Sequence, residues 1–414
     1  MSTTDITRTH RLPPPPQASD GTLLPRPVVL GFLLFTSLGT GVVLSIVGPT
    51  VPAIAARLSV PEATLGIIFT ANFLAATITT MASGVLFNRI GGRTLVPAGL
   101  AAMVLGLLGE GTAGTLPLIV LAAIMAGVGT GIINVSVNAS AARLYPTRRA
   151  AVLTWLNVCF GVGAFLTPLA AGLSLVRLGG YTPAYIAGAV IVALPILPLI
   201  LGLPASDSSA AARSTSGLTA VLTLLRDRTL RLMMLLAALY LGAEIGFGGW
   251  VVSIVARMTH LPPAQLAPTA SAFWICLAAG GAPTTLLLRR GVPPRRLIVL
   301  GALAAAIAAM LLLVVGGSVP LAIACCALLG LAFAPILPLA TSLAVGHGAA
   351  DGSDGARIAA VFTIGQIGAA TLPALQGALL GIGVGPALGM TAACGLGMAG
   401  LAATVKPTDR TKQA

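Results

Sequence analysis

Charge is the scarcest commodity in this sequence. Aspartate, glutamate, lysine and arginine together make up 8% of 414 residues, and the acids number 10. Hydrophobic residues account for 57%, and the mean hydropathy is +1.00. No soluble core needs that much apolar surface, so a water-soluble domain is excluded. The three histidines, His10, His260 and His347, fall in the N-terminal tail or in loops, with no Ser/His/Asp grouping and no metal-ligand spacing. Hydrolytic and metal-dependent catalysis therefore find no support. The five cysteines, Cys159, Cys276, Cys325, Cys326 and Cys394, lie in apolar runs without a CxxC or a nearby histidine, and read as small packing residues. The stretch "GVGTG" lacks the preceding strand and the following lysine of a phosphate loop. No ATP-binding domain is seen and no cofactor is expected, so any pumping must draw on an ion gradient or run downhill.

Long apolar runs are what the sequence has in abundance. Runs of about 20 residues are long enough to cross a bilayer as helices. Twelve spans are predicted, at 28–56, 65–87, 94–110, 116–142, 150–176, 182–203, 229–256, 266–288, 297–315, 319–345, 358–380 and 384–405. The first 27 residues are polar and proline-rich ("RLPPPPQASDG"), and the first apolar run exceeds a signal-peptide core, so no cleavable signal is expected. The polar stretch around "ASDSSAAARSTSG" divides the chain. The organisation is thus a tail (1–27), a six-helix bundle (28–203), a cytoplasmic linker (204–228), a second six-helix bundle (229–405) and a tail (406–414).

The net charge of +13 orients this architecture. With the N-terminus inside, 20 of the 23 lysines and arginines fall on the cytoplasmic side, from Arg8 and Arg11 to Lys406, Arg410 and Lys412. Arg57, Arg177 and Arg257 remain outside. Basic charge that alternates with the spans sets membrane orientation and argues against nucleic acid. The expectation is a multi-pass protein of the cytoplasmic membrane with both termini cytoplasmic, in contact with lipid and working as a monomer.

The halves also resemble each other. Offset by 205 residues, "FGVGAFLTPLAAGL" in span 5 lies over "GQIGAATLPALQGA" in span 11, matching Gly163, Ala164, Pro168 and Gly172 with Gly368, Ala369, Pro373 and Gly377. Parallel repeats of this kind suit halves that rock about a central site.

Local motifs point the same way. "GVLFNRIGGR" between spans 2 and 3 supplies Gly84, Arg89, Gly91 and Arg93 in a G-x-L-x-D-R-x-G-R-R pattern, with Asn88 at the aspartate position. "LLLRRGVPPRRL" between spans 8 and 9 is a degenerate second copy. The chain thereby resembles the major facilitator superfamily over 28–405. This implies an all-α membrane protein with 12 transmembrane helices in two pseudo-symmetric six-helix bundles, and it implies a gating loop at 84–93. "GVGTGIINVSVNA" in span 4 and "YLGAEIGFGGW" in span 7 are similar to the fucose-permease-like sugar/proton symporters. Gly127, Gly129, Gly131 and Asn138 fit their span 4 pattern, whereas Asn134 stands at its acidic position. Span 1 carries no ionisable group between Arg26 and Arg57, so the carboxylates this group has in its N-terminal half are missing.

Polar groups at membrane depth need a neighbour, a ligand or cavity water. Asn134 and Asn138, four apart, share a face of span 4, and Asn157 lies in span 5. As interhelical glue such groups contribute about 0.6 kcal/mol each; as ligand contacts they supply donors and acceptors. Glu244 is the one acid well inside a span, where a carboxylate costs roughly 3 kcal/mol or more; Glu110 is placed near the outer end of span 3. Tyr240 precedes Glu244 by a turn and is within hydrogen-bonding reach. Trp250 and Trp274 offer flat apolar faces to a sugar ring, with packing as the competing role, while Trp155 suits the interfacial belt. Gln366 in span 11 is a further candidate contact, and Asn72 in span 2 a weaker one.

The leading reading is a secondary transporter of a small polar organic solute, sugar-like, either coupled to protons with Glu244 as the candidate coupling residue, or an uncoupled uniporter in which Glu244 only bonds solute hydroxyls. Drug or metabolite efflux on the same fold is the alternative. A non-transporting sensor is disfavoured, because no signalling domain accompanies the spans.

Overall fold

A computed structural model describes residues 24–203, 227–346 and 354–405. The tails and linker predicted at 1–27, 204–228 and 406–414 lie almost wholly outside the described residues, as do His10, His347 and the basic residues of those segments. The described residues are helical with short turns, and no strand occurs among them. Span 1 is Arg26–Leu58, span 4 Leu116–Leu144, span 5 Arg149–Arg177 and span 7 Arg228–Thr259. Span 9 is Pro294–Val315, span 11 Asp354–Ile382 and span 12 Val384–Ala403.

Three spans are broken in mid-course. Span 6 divides into Thr182–Ala193 and Ile196–Gly202, span 8 into Ala267–Ala279 and Gly281–Arg289, and span 10 into Val319–Phe333 and Ile336–Gly346. Pro195 and Pro335 sit at two of these breaks, where a missing N–H interrupts the helical ladder.

Spans 2 and 3 depart from the expected loop. They form one helical run, Gly66–Thr112, interrupted at Gly91 alone (φ 74°, ψ 170°), a left-handed conformation that suits glycine. A continuous helix of that length would reach about 70 Å, more than twice the hydrocarbon thickness of a bilayer. Span 4 shows what happens instead. Methyl groups at Gly127 and Gly131 would strike the carbonyls of Asn72 and Ala76, whereas one at Gly129 would strike Gly99 and Met103. Residues 72–76 and 99–103 therefore flank the same turns of span 4 as two separate crossings. Eleven helical stretches among the described residues are long and apolar enough to span a membrane, and the break at Gly91 makes twelve.

The sequence repeat corresponds to a repeated helix crossing. Gly163 of span 5 lies against the Leu38 carbonyl of span 1, and its repeat partner Gly368 of span 11 lies against the Ala238 carbonyl of span 7. Neither crossing has room for a Cβ. The two bundles, spans 1–6 and 7–12, are thus built on the same backbone contact.

Two of the three arginines on the sparsely basic side are also held alike. Arg57, in the last turn of span 1, donates to the Gly111 and Thr112 carbonyls at the end of span 3 and to the Tyr181 hydroxyl. Arg257, in the last turn of span 7, donates to the Leu380 carbonyl near the end of span 11. Each guanidinium meets the partly negative C-terminus of a neighbouring helix, a favourable charge–dipole arrangement. These exceptions to the basic-side bias are accounted for by local bonding.

At the opposite ends Asp227 caps span 7, accepting from the Thr229 and Leu230 N–H groups at 2.8 and 3.3 Å. Its other oxygen accepts from Arg357 at 2.6 Å, and Arg357 also donates to the Ala344 carbonyl, tying spans 7, 10 and 11 together. Partial burial pushes the Asp227 carboxyl up, but the Arg357 hydrogen bond, the two backbone donors and the arginine charge outweigh it and hold the pKa below the usual range.

Two outcomes follow from this packing. Gly163→Val and Gly368→Val each lower the thermal midpoint of the detergent-solubilised protein, consistent with overpacking of about 1–3 kcal/mol. Gly114→Ala, where nothing lies within 4 Å of the added methyl, leaves the midpoint unchanged. The Asp227 contribution is full above the ordinary aspartate range and is lost as pH falls through its depressed pKa. Asp227→Asn therefore costs on the order of 1 kcal/mol at neutral pH, and the difference from wild type vanishes in melts at acid pH.

Candidate functional site

Helix termini fix a frame for depth. The arginine-rich loops join spans 2 to 3, 4 to 5 and 8 to 9, so one end of every span is the basic end. Across the other half of the membrane the two bundles meet directly. Gly48 of span 1 faces the Gly248 and Gly249 carbonyls of span 7, with room for nothing larger. Gly66 of span 2 presses on Ala374 of span 11, and Gly172 of span 5 on Ala264, just before span 8, and Ala267 at its start. The Phe69 and Trp250 rings sit 5.8 Å apart across this seam. Ser271 donates to the Phe165 carbonyl, and Arg257 lies 3.6 Å from Glu62.

On the basic side of the seam lies a cleft. Its lining comes from three spans of the first bundle: Ser37 and Thr40, then Asn134 and Asn138, then Asn157, with Ile133, Val137, Leu156 and Phe160 between them. The three asparagines are exposed to it, although they belong to spans that are otherwise apolar. The Asn138 side-chain N–H donates to the Asn134 carbonyl at 2.6 Å, and that of Asn157 to the Leu153 carbonyl at 3.0 Å. Each bond uses one of an amide's four hydrogen-bonding capacities. Among the described residues the Asn134 carboxamide makes no hydrogen bond. Ser37 and Thr40 bond carbonyls of their own helix at 3.4 and 3.2 Å. The cleft is therefore rich in neutral donors and acceptors and contains no charge. It can bind hydroxyl-bearing molecules in several orientations, and it offers no nucleophile or general base.

The other predicted residues sit elsewhere. Tyr240, Glu244, Trp250, Trp274 and Gln366 are not in the lining of this cleft. Tyr240 and Glu244 meet side chain to side chain on span 7, and the Tyr240 ring stands edge-on to Phe333 of span 10. Trp250 is fully buried, its N–H donating to the Pro373 carbonyl at 2.8 Å. Trp274 is buried against Gly248 and Phe273. Both tryptophans occupy the seam as packing groups, because the glycines that make room in span 7 are filled by aromatic rings. The buried Gln366 Oε1 has no hydrogen-bond partner among the described residues. Such an orphaned acceptor calls for a ligand or water.

The 84–93 segment is held to span 4. Arg143 donates to Asn88 at 3.1 Å, and its guanidinium stacks 4.6 Å from the centre of the Phe87 ring. A neutral amide and a cation–π contact thus stand where the G-x-L-x-D-R-x-G-R-R pattern has a carboxylate. Gly91 supplies the reversal. Gly84 has open space around it, so its packing does not require glycine. No hydrogen bond or ion pair involves Arg89 or Arg93 among the described residues.

Sequence reasoning missed Ser37, Thr40 and Phe160 of the cleft. Ser37 and Thr40 stand three apart on span 1, a shared face that was legible but looked like ordinary helix-bonding hydroxyls. Gln376, which donates to the Ala387 carbonyl and Thr391 and packs on Gly246, was missed as well.

Comparisons with known proteins agree with this architecture. Over 92% of this chain and 98% of the other, the structure matches the E. coli fucose:proton symporter FucP with a TM-score of 0.60 at 18% identity. Over the same shares it matches a D-xylose-proton symporter with a TM-score of 0.75 at 13% identity. The sodium-dependent glucose transporter 1A of Mus musculus is 29% identical over 137 residues, 33% of this chain and 32% of that protein. That match thus spans about a third of the relative's length. The sequence pattern of the Major Facilitator Superfamily matches residues 33–373, and the chain belongs to that superfamily.

Proposed function

We propose that this protein is a secondary transporter of a small, uncharged, hydroxyl-rich solute, sugar-like in chemistry, which it moves by alternating access. The observation that carries the reading is the uncharged three-asparagine cleft beneath a closed seam. Neutral amides match sugar hydroxyls, which donate and accept in equal measure, whereas a charged solute would find no counter-ion there. The printed names of the similar proteins, symporters of fucose and xylose and a glucose transporter, support the same solute class. The protein sits in the cytoplasmic membrane with both termini and the 204–228 linker inside. In that orientation the cleft faces the cytoplasm, and the seam closes the outer side.

Counterflow with a panel of radiolabelled sugars and polyols in proteoliposomes tests the solute class. At least one is exchanged, and Asn138→Ala and Asn134→Ala each raise its half-saturating concentration roughly tenfold, the loss of about 1.4 kcal/mol. Exchange of apolar drugs with none of the sugars would replace this reading with efflux. For topology, a single cysteine in 204–228 of a cysteine-free variant is labelled in intact cells only by membrane-permeant reagents.

Glu244 carries the coupling in this reading. It is half-buried at mid-span, beside Tyr240, with no cation next to it among the described residues. A carboxyl that is neutral when occluded and ionised when wetted links proton movement to the rocking of the halves. Glu244→Gln keeps the shape and hydrogen bonding of the protonated acid but cannot titrate, so it abolishes accumulation driven by an imposed pH gradient and spares counterflow. A mutant that still concentrates solute shows that coupling resides elsewhere.

A further inference from the structure

The first bundle holds a carboxyl that the proposed transport cycle has not used. Glu110, in span 3, is 2% exposed and lines a small cavity with Val43, Leu44 and Val47 of span 1 and Ile68, Phe69, Asn72 and Phe73 of span 2. The free volume, about 20 Å³, is the room a single water needs. Among the described residues Glu110 makes no hydrogen bond and no ion pair. The polar and charged groups around it are already engaged. Arg57 of span 1 spends its guanidinium on the Gly111 and Thr112 carbonyls and on the Tyr181 hydroxyl. Tyr185 of span 6 shares a hydrogen bond with Thr50 at 3.1 Å, and Thr182 donates to Gly111. Asn72 of span 2, the one other polar residue in the lining, donates its side-chain N–H to the Ala123 carbonyl. Where span 4 meets span 3 at this level it presents alanines, Ala122 and Ala126.

An ionised carboxyl buried without a cation costs several kcal/mol, so this one must gain a positive charge from outside the protein. One carboxyl and one amide oxygen in an apolar wall are too few ligands for a metal ion, whereas a proton needs only the carboxyl. Phe69 walls the cavity on one side and packs against Trp250 and Gly249 of the other bundle, so a parting of the seam changes that wall.

We propose that Glu110 is a second proton-binding carboxyl whose access to water is set in part by the Phe69 wall at the seam. Resting on the alternating-access reading above, this gives the first bundle the titrating acid that its Asn134 and uncharged span 1 lack. The carboxylate takes one proton from the water that enters the opened side and returns it to water when the cavity next opens.

Infrared difference spectroscopy between two pH values, on the full chain in liposomes, reads protonated carboxyls directly. Glu110→Gln removes one protonated-carboxyl band, and Glu244→Gln removes a different one. Glu110→Asp keeps a displaced band, which separates lost titration from lost folding. In heavy water, Phe69→Ala speeds the deuterium shift of the Glu110 band. A Glu110→Gln spectrum that superimposes on wild type overturns the proposal, as does a Glu110 band displaced at constant pH when potassium chloride is replaced by sodium chloride. A deuterium shift unaffected by Phe69→Ala overturns the gating by the seam. If the Glu110 band titrates but no panel solute is accumulated by a pH gradient, the proton site stands and the transport reading falls.

Discussion

Everything in this molecule depends on how closely two helices can approach when no water drives them together. Lipid tails are as apolar as leucine, so burying side chains between spans gains little, and association falls to packing and to bonds between backbones. The contact of Gly163 with the Leu38 carbonyl, and its counterpart between Gly368 and Ala238, are the tightest expression of that rule. They bring spans 1 and 5, and spans 7 and 11, to backbone contact, and the remaining spans arrange themselves around these pairs.

The same economy explains the seam between bundles. Glycines at 48, 248 and 249 let spans 1 and 7 touch, and Phe69, Trp250 and Trp274 fill what the missing side chains leave. Among the described residues few groups are bonded across this surface: one serine to one carbonyl, and one ion pair at the rim. A rim pair of this exposure is worth no more than about 1 kcal/mol. Contacts built from aromatic rings on glycine, with little hydrogen bonding to break, can part without leaving many orphaned polar groups. That property suits a surface that must open and close.

The fold was legible almost in full, because its signals are redundant. Apolar length, the alternation of arginines and the Gly-Ala-Pro-Gly repeat each give the twelve-span, two-bundle arrangement, and an error in one would conflict with the others. The breaks in spans 6 and 10 were less legible, although Pro195 and Pro335 mark them. The exact turn at Gly91 was not, since residues on both sides of it remain helical. Site residues were legible in proportion to how far they violate their surroundings. Three asparagines in apolar helices announced themselves and meet in one cleft. Tryptophans did not separate as cleanly, because an aromatic ring beside glycines looks the same in sequence whether it faces a cavity or fills one.

Acids complete the contrast between the two bundles. Glu244 stands next to the Tyr240 phenol, so the protein itself supplies a polar neighbour. Glu110 has a largely apolar cavity with space for one water, and the polar side chains near it are bonded to other groups. The first arrangement tolerates ionisation whenever water reaches it. The second offers an ionised carboxylate no polar partner among the described residues. Two carboxyls so differently housed differ in what it costs to ionise them, and the one without a polar partner costs more.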